Sequence, residues 1–470
     1  MQPPQLQVLS VRCVSERCDL RLPFQFGMVT LEQVSLCTVE VEMTCDGHVV
    51  QGYSSDLLVP KWFEKNADLS LQQDADKLRR AIEGSAAQSA TLEPGSAFAL
   101  WRELFAARVE RVPEGERLVQ GLGVSLIERA LLDGLSRATQ APFVQALSPA
   151  TSGYDGGALH AELAGTRGLE PAVPQAMRVR HTVGLADALA TPLAQPDDGQ
   201  PTCLRDDVRA FGLELFKLKV GGKIAADVER LAEIADVLEN ETSDYRVTLD
   251  GNEQYGSVED LRELLARLEE NARTRRLAAN ILYIEQPLAR ARSYEPDRLI
   301  GIERLDAYGG LILDEADCDL DSFERALRLG YRGVSVKNCK GVFRALANSG
   351  LCAVKAGRFQ SSEDLTNVPI LPLQQDLATA AALGLTHSER NGHHYFLGLD
   401  HVPESEVEGA LAAHPDLYEA GGGAAALRIE GGAIALGSIL AKGYGTHLVP
   451  DITARAASPR CDWTWHVERS

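Results

Sequence analysis

The chain is constrained above all by a unit that repeats from about His181 onward: a short apolar strand that ends in polar residues and runs into an amphipathic helix. Seven such strands read as RHTVGLA, LFKLKVG, YRVTLDG, ILYIEQP, LILDEAD, GVSVKNC and RFQSSED, and an eighth falls in HSERNGHHYF. Helices such as AADVERLAEIADVLEN and SVEDLRELLARLEENA fill the gaps. From Leu215 to Arg358 successive strand starts lie 22 to 36 residues apart, too far for hairpins and right for crossovers between parallel neighbours. Eight units without a glycine-rich phosphate turn predict an α/β fold of the (β/α)8 TIM-barrel type rather than a doubly wound sheet.

The residues before the barrel have a different texture. LSVRCVSERCDLRL and SLCTVEVEMTCDGHVVQGYSSDLLV alternate as strands do, with CDG as a hairpin turn. DADKLRRAIEG and VSLIERALLDGLSRAT then carry apolar residues at helical spacing, with Leu126, Ile127, Ala130 and Leu131 on one face. We therefore expect an N-terminal α+β domain over residues 1–145, the barrel over 146–425, and a C-terminal segment over 426–470 that crosses back to the first domain. Two stretches rich in Gly, Pro, Ser and Asp, 148–174 and 192–202, read as loops around the first barrel strand.

Composition removes several classes of function. Forty-seven Lys and Arg against 67 Asp and Glu leave a formal net charge of −20 and a pI of about 5.0. Nucleic acids and anionic membranes need clustered cations, so neither is expected as a partner. No uninterrupted apolar run of about 18 residues occurs, and the start lacks a basic region followed by an apolar stretch, so the sequence reads as neither membrane-spanning nor secreted. Nine scattered cysteines without a CxxC pair suit a reducing compartment, and the expectation is cytoplasmic. A homo-oligomer is compatible with this composition.

The polar residues that could carry chemistry fall at the C-terminal end of each strand, where a parallel barrel gathers its active site. In order they are Lys217 and Lys219, Asp250, Glu285, Asp314 with Glu315, and Lys337. Strand alternation turns Lys217 and Lys219 to one face. A single strand-end acid has an ordinary solvated role, but Asp250, Glu285 and Asp314 on three adjacent strands form a hard, all-oxygen set of the kind Mg²⁺ takes. Lys219 and Lys337 then face each other across the barrel mouth. A substrate carboxylate held on one Mg²⁺ ion would present its α-carbon between two amines, one able to remove a proton and the other to return it. The α-proton of a carboxylate is very weakly acidic, so the ion is needed to stabilise the enediolate that forms. Which of Asp314 and Glu315 points inward depends on strand register.

KLKVGG, LDGN, YIEQP, LDEAD and VSVKNCKG, taken in that order, resemble the strand-end motifs of the enolase superfamily, specifically its muconate lactonizing enzyme subgroup. LPFQFGMVTLEQV, VEVEMTCDGHVVQGYSSD and SLIERALLDGLSRATQAPF are similar to that family's capping domain, and GGAIALGSILAKGYGTHLVPD to its closing segment. The resemblance covers nearly the whole chain. It implies Mg²⁺-dependent proton abstraction from a small-molecule carboxylate, with Asp250, Glu285 and Asp314 as metal ligands, Lys219 and Lys337 as acid/base residues, and Lys217 as helper to Lys219. Racemisation, epimerisation or cycloisomerisation is the leading reaction. A dehydratase of acid sugars would need a further proton donor, for which Glu363, Asp364 or His393 could serve, and a barrel that binds carboxylate or metal without turnover is the third reading. By the same resemblance, cap loops near 24–28 and 54–62 bring Phe24 and Phe26 to the substrate, with Glu315, Glu363 and His393 as further contacts. The chain departs from the family in its extra length and in having only Gly341 after the sixth-strand lysines.

Overall fold

Asp46 and Gly47 take φ of 49° and 85°, the left-handed pair that closes a tight hairpin, and this turn organises the N-terminal domain. It joins β2 (Val29–Cys45) to β3 (His48–Leu57), and β2 pairs on its other side with β1 (Leu6–Phe26). Helices α1 (Leu71–Ser89), α2 (Ala97–Arg108) and α3 (Glu114–Thr139) follow, α1 opened by a capping box between Ser70 and Gln73. The predicted apolar face of α3 is buried, and the helix is keyed to β3 by a buried ion pair, Arg129 to Asp56 at 2.7 Å. The computed structural model describes residues 2–27, 29–165, 172–421 and 424–469. Met28 at the end of the first cap loop, part of the loop expected at 148–174, and two glycines at the start of the tail lie outside the described residues.

Eight parallel strands form the second unit: β4 (Ala176–Val183), β5 (Leu215–Lys219), β6 (Arg246–Asp250), β7 (Ile281–Glu285), β8 (Leu311–Leu313), β9 (Gly333–Val336), β10 (Phe359–Ser362) and β11 (His387–Arg390). They neighbour one another in chain order, and β11 pairs back onto β4, so the sheet closes into a barrel. The fold is therefore an α/β (β/α)8 barrel with an N-terminal α+β domain. The HSERNGHHYF segment contributes only its first four residues as strand; Gly392–Tyr395 turn into a short helix.

The tail makes two attachments. After the ribbon of β12 (Tyr418–Glu419) and β13 (Ala426–Leu427), β14 (Ala433–Ala435) pairs antiparallel with β4 at the barrel. Only then does the chain reach the N-terminal sheet, where β15 (Cys461–Glu468) pairs with β1. The closing strand thus completes the cap, while the segment before it stays with the barrel. Among the described residues no helix is long and apolar enough to cross a membrane.

Candidate active site

The glycine of LDGN has a mechanical cause. A Cβ on Gly251 would lie 2.6 Å from the Pro287 Cα, so only glycine lets the end of β6 pass under the EQP turn of β7. The Gln of that turn then fixes the next strand. Gln286 Oε1 accepts from the backbone N–H of Asp314 at 2.9 Å and of Ala316 at 3.1 Å, and its amide donates to Leu288 O and Ser293 Oγ, each at 2.8 Å. These bonds set where the carboxylates of β6, β7 and β8 begin.

Lys217 and Lys219 both turn into the barrel, as alternation requires. The Lys217 ammonium is surrounded by four carboxylates: Asp250 at 3.0 Å, Glu285 at 2.7 Å, Glu363 at 2.9 Å and Glu389 at 2.8 Å. Burial alone would lower its pKa, but these four acids, led by Asp250 and Glu285, raise it well above the usual lysine value. Lys219 donates to Asp250 Oδ2 at 2.5 Å, whose other oxygen accepts the Asn252 N–H at 2.9 Å. Burial works to raise the Asp250 pKa; Lys217 and then Lys219 outweigh it and hold the carboxyl below the usual range.

Asp314, not Glu315, faces this interior. It accepts from Lys337 at 2.7 Å and from Ser335 Oγ at 2.5 Å. Burial opposes ionisation of Asp314, but Lys337 and Lys340 dominate and depress its pKa, while Asp314 in turn outweighs burial and raises that of Lys337. Lys340 is also buried, donating to Ser335 Oγ at 2.7 Å and standing 3.0 Å from Asp317. Glu285 is compensated by the Lys217 ion pair at 2.7 Å alone, and its Oε1 has no partner. Burial raises its pKa well above normal, with Asp250 and Glu363 adding to the effect.

A buried carboxylate with one oxygen unpartnered lacks part of the compensation that ordinary interiors supply. The donor chemistry at this mouth, three carboxylates with one Glu285 oxygen unpartnered, fits a hard divalent cation of the Mg²⁺ kind. Asp250, Glu285 and Asp314 are the residues that would hold it.

The other expected contacts are distributed differently. Glu315 turns to the rim, where its Oε1 accepts from Asn252 Nδ2 at 3.4 Å, and it lines a cavity of about 220 Å³ with Arg290, Leu118 and Cys318. Glu363 lies deeper in the barrel, bound to Arg180, Lys217 and Ser361. Phe24 and Phe26 are both buried, their ring centres 5.2 Å apart, and the Phe24 ring packs at a tilt against Tyr395 with centres 4.3 Å apart. His393 does not join the carboxylates: it packs edge-on to Phe211 and beside His181, on the outer side of β4.

Two contributors, Glu389 and Arg180, escaped the sequence reading, and a third, Trp62, was expected only as part of the second cap loop. Glu389 sits at the inward position of β11, bonded to Lys217 at 2.8 Å and to Thr182 Oγ1 at 2.7 Å. Its signal was the alternation of HSER, hidden by the three histidines nearby. Arg180, inward on β4, pairs with Glu363, donates to Ser361 Oγ at 3.2 Å and lies over the Tyr283 ring. Trp62 brings its ring 4.5 Å from the Lys337 ammonium, so the cap closes directly over that amine. Arg290 pins this loop by donating to Trp62 O at 2.7 Å and Phe63 O at 3.0 Å, and Lys65 adds an ion pair to Glu253 at 2.6 Å.

The barrel, its cap and the closing strand together make the fold found in solved structures of enolase-superfamily proteins. N-succinyl Arg/Lys racemase from Bacillus cereus ATCC 14579 superposes with a TM-score of 0.65 at 14% identity, over 98% of this chain and 100% of that one. Dipeptide epimerase from Enterococcus faecalis V583, solved with Mg and the dipeptide L-Leu-L-Tyr, gives 0.61 at 16% identity over 93% and 99%. Muconate lactonizing enzyme from Pseudomonas fluorescens, solved with muconolactone, gives 0.61 at 16% over 96% and 98%. No protein-family model matches the chain, and no curated protein does either.

Proposed function

We propose that this chain is a Mg²⁺-dependent enzyme that removes the α-proton of a small carboxylate and returns it as a racemase or epimerase, or uses the resulting anion in a cycloisomerisation. The observation that carries this reading is the pair Lys219 and Lys337. β5 and β9 are four strands apart in a closed ring of eight, so their ends are diametrically opposed. Each lysine is buried and bonded to one acid of the proposed ligand trio, Asp250 or Asp314. Two amines on opposite faces of one bound carbon are what inversion at that carbon needs. The shared fold with a dipeptide epimerase, an acyl amino acid racemase and a cycloisomerase supports the same reading.

Bound by Asp250, Glu285 and Asp314, Mg²⁺ would supply the positive charge that offsets charge developing on the substrate carboxylate and would take up the Asp314 charge that keeps Lys337 protonated. The remaining parts belong to the chain itself. Lys217, fixed by four acids, is a permanent cation two residues from Lys219. Trp62 covers Lys337 and keeps water from it. Of the proton donors an acid-sugar dehydratase could use, Asp364 is the one that retains a proton near neutral pH, because burial pushes its carboxyl up to about 7. Glu363 is held ionised against burial by Arg180 and Lys217, Asp364 is engaged with Arg390 and the Asn391 N–H, and His393 lies on the outer side of the barrel.

The test is NMR-followed exchange of α-hydrogens in D2O with Mg²⁺, across dipeptides, N-acyl amino acids, acid sugars and lactones. Exchange that requires the metal and loses one stereochemical face in Lys219→Ala and the other in Lys337→Ala is expected. Exchange unaffected by either substitution would overturn the two-lysine mechanism.

A further inference from the structure

A second group of donors lies on the outer side of β4. Arg180 and Thr182 face the barrel interior, bonded to Glu363 and Glu389, so His181 between them faces out, toward the helix Leu204–Phe211 and the short helix Gly392–Tyr395. His181, His393 and His394 each bring a ligand nitrogen within 4.8 Å of the others. His181 Nδ1 stands 3.0 Å from His393 Nε2, and the rings of His181 and His394 have centres 4.4 Å apart.

Three imidazoles crowded in this way leave donors and acceptors unused. His393 Nδ1 and both nitrogens of His394 are buried without a hydrogen-bond partner. Two carboxylates stand behind the cluster: Asp207 Oδ2 is 3.9 Å from His181 Nε2, and Asp187 Oδ2 is 3.9 Å from His394 Nε2. A carboxylate on the Nε2 side of an imidazole favours the tautomer with its proton there and leaves Nδ1 as the free donor. Burial, and then the neighbouring imidazoles, push the pKa values of His181 and His393 well below the ordinary histidine value, so both are neutral near pH 7. A cavity of about 190 Å³ adjoins the cluster, lined by His181, His394, Asp207 and Cys203 among others, with room and polar neighbours for water.

We propose that His181, His393 and His394 form a Zn²⁺ site separate from the carboxylates of the barrel mouth, with a water from the adjoining cavity as fourth ligand and Asp207 orienting His181. Three neutral imidazoles with one open position are a donor set suited to zinc and unsuited to Mg²⁺. The site joins the first barrel strand to the segment that follows the last. It also reaches the cap: Arg21 of β1 donates to His394 O at 2.9 Å and pairs with Asp198 at 2.7 Å, and Tyr395 next door packs against Phe24. Zinc here would clasp the seat of the cap loop that carries Phe24 and Phe26.

The experiment uses the full chain, stripped with a chelator and titrated with Co²⁺ as a spectroscopic probe and Zn²⁺ as competitor. One equivalent of Co²⁺ with the visible absorption of a low-coordinate nitrogen site is expected, apart from any Co²⁺ taken by the barrel-mouth carboxylates, displaced by Zn²⁺ and accompanied by a higher melting temperature. His393 is only partly buried, so His393→Ala is the variant least prone to misfolding; it should weaken Co²⁺ at least tenfold, and Asp207→Asn about tenfold. Glu285→Gln should leave Co²⁺ binding intact. Absence of the Co²⁺ band from the wild type overturns the proposal, as does a band that survives in His393→Ala or vanishes in Glu285→Gln.

Discussion

Replacing Lys217 by methionine removes the ammonium that four buried carboxylates share at 2.7 to 3.0 Å. The stem is nearly isosteric, so the change is one of charge. Taking one partner out of a buried ion pair costs about 3–5 kcal/mol, because the remaining charge is left uncompensated. At roughly 2.1 cal/mol/K of unfolding entropy per residue, the 470 residues amount to about 1 kcal/mol/K, so the melting temperature in EDTA should fall by about 3–5 °C. The pH dependence follows from the directions of the shifts. In the wild type Glu363 and Glu389 are depressed by Lys217 and other cations against burial, so their stabilisation persists above about pH 4.3. In the variant the same acids lose that cation, their folded pKa values rise, and they take up protons as pH falls from 7 to 5, regaining stability. The gap between the two proteins should therefore narrow toward acid. A second substitution sharpens the test: Glu389→Gln destabilises the wild type but should stabilise Lys217→Met, a coupling of at least about 1 kcal/mol in a double-mutant cycle. A variant that melts within 1 °C of wild type at pH 7, or a cycle with no coupling, would refute the view of Lys217 as the central fixed charge.

Trp62→Ala removes the aromatic face 4.5 Å from the Lys337 ammonium, an interaction worth about 1–2 kcal/mol when desolvated; kcat should fall about tenfold, with stereochemical loss at the Lys337 face in the deuterium assay. Gly222 has φ +73°, and a Cβ there would come 2.3 Å from Gln254 O, so Gly222→Ala should cost on the order of 2 kcal/mol in urea unfolding. Glu128 Oε1 accepts from the Phe343 N–H at 2.6 Å while Oε2 has no partner, and burial pushes its pKa up to about 7. The folded state thus keeps a proton that the unfolded chain releases, and the cost of ionisation grows from about pH 4.5 to its full value above pH 7. Glu128→Gln should accordingly raise stability by on the order of 2 kcal/mol at pH 8 and leave it unchanged near pH 4.5, as read by thermal melts across that range.

The barrel was legible because parallel strands covered by helices on one side read as short apolar runs, and because each run ended in one or two charged residues at the same place in the unit. LFKLK shows the mechanism: Phe216 and Leu218 face the helices, so Lys217 and Lys219 had only the interior to enter. The inward register of Asp314 was not legible, since a three-residue strand such as β8 contains too little alternation to fix parity; Gln286, through two backbone N–H groups, decides it. Arg180, Thr182 and Glu389 escaped because the polar barrel floor they build violates the usual aliphatic filling of such barrels. His393 was drawn toward the site by its position in the eighth unit, but the chain turns into a helix after Asn391 and carries the ring to the other side of the sheet. The tail was readable only as a return, since its pairing with β4 involves three residues.

The polar interior itself distinguishes the three lysines. Ion pairs buried in a barrel gain little over well-packed apolar residues of the same volume, so their stacking here, Arg180 with Glu363 below, Lys217 with its four acids above, then Lys219 with Asp250 and Lys337 with Asp314 at the mouth, points to a fixed electrostatic field rather than to a stability device. Within that field, how readily an amine gives up a proton depends on how readily its counter-charges can be withdrawn. Lys217 is held by four carboxylates, of which Glu363 and Glu389 lie outside the metal set, and remains charged whatever binds above it. Lys219 and Lys337 each lean on one carboxylate, and both carboxylates belong to the set that suits a divalent ion. Arrival of metal and substrate therefore withdraws the one counter-charge of each of these two amines, whereas Lys217 keeps Glu363 and Glu389 and stays charged. Lys217→Arg, if it folds, should accordingly retain stereospecific exchange at both faces, whereas Lys219→Arg and Lys337→Arg should each abolish one, because guanidinium cannot be deprotonated near neutral pH.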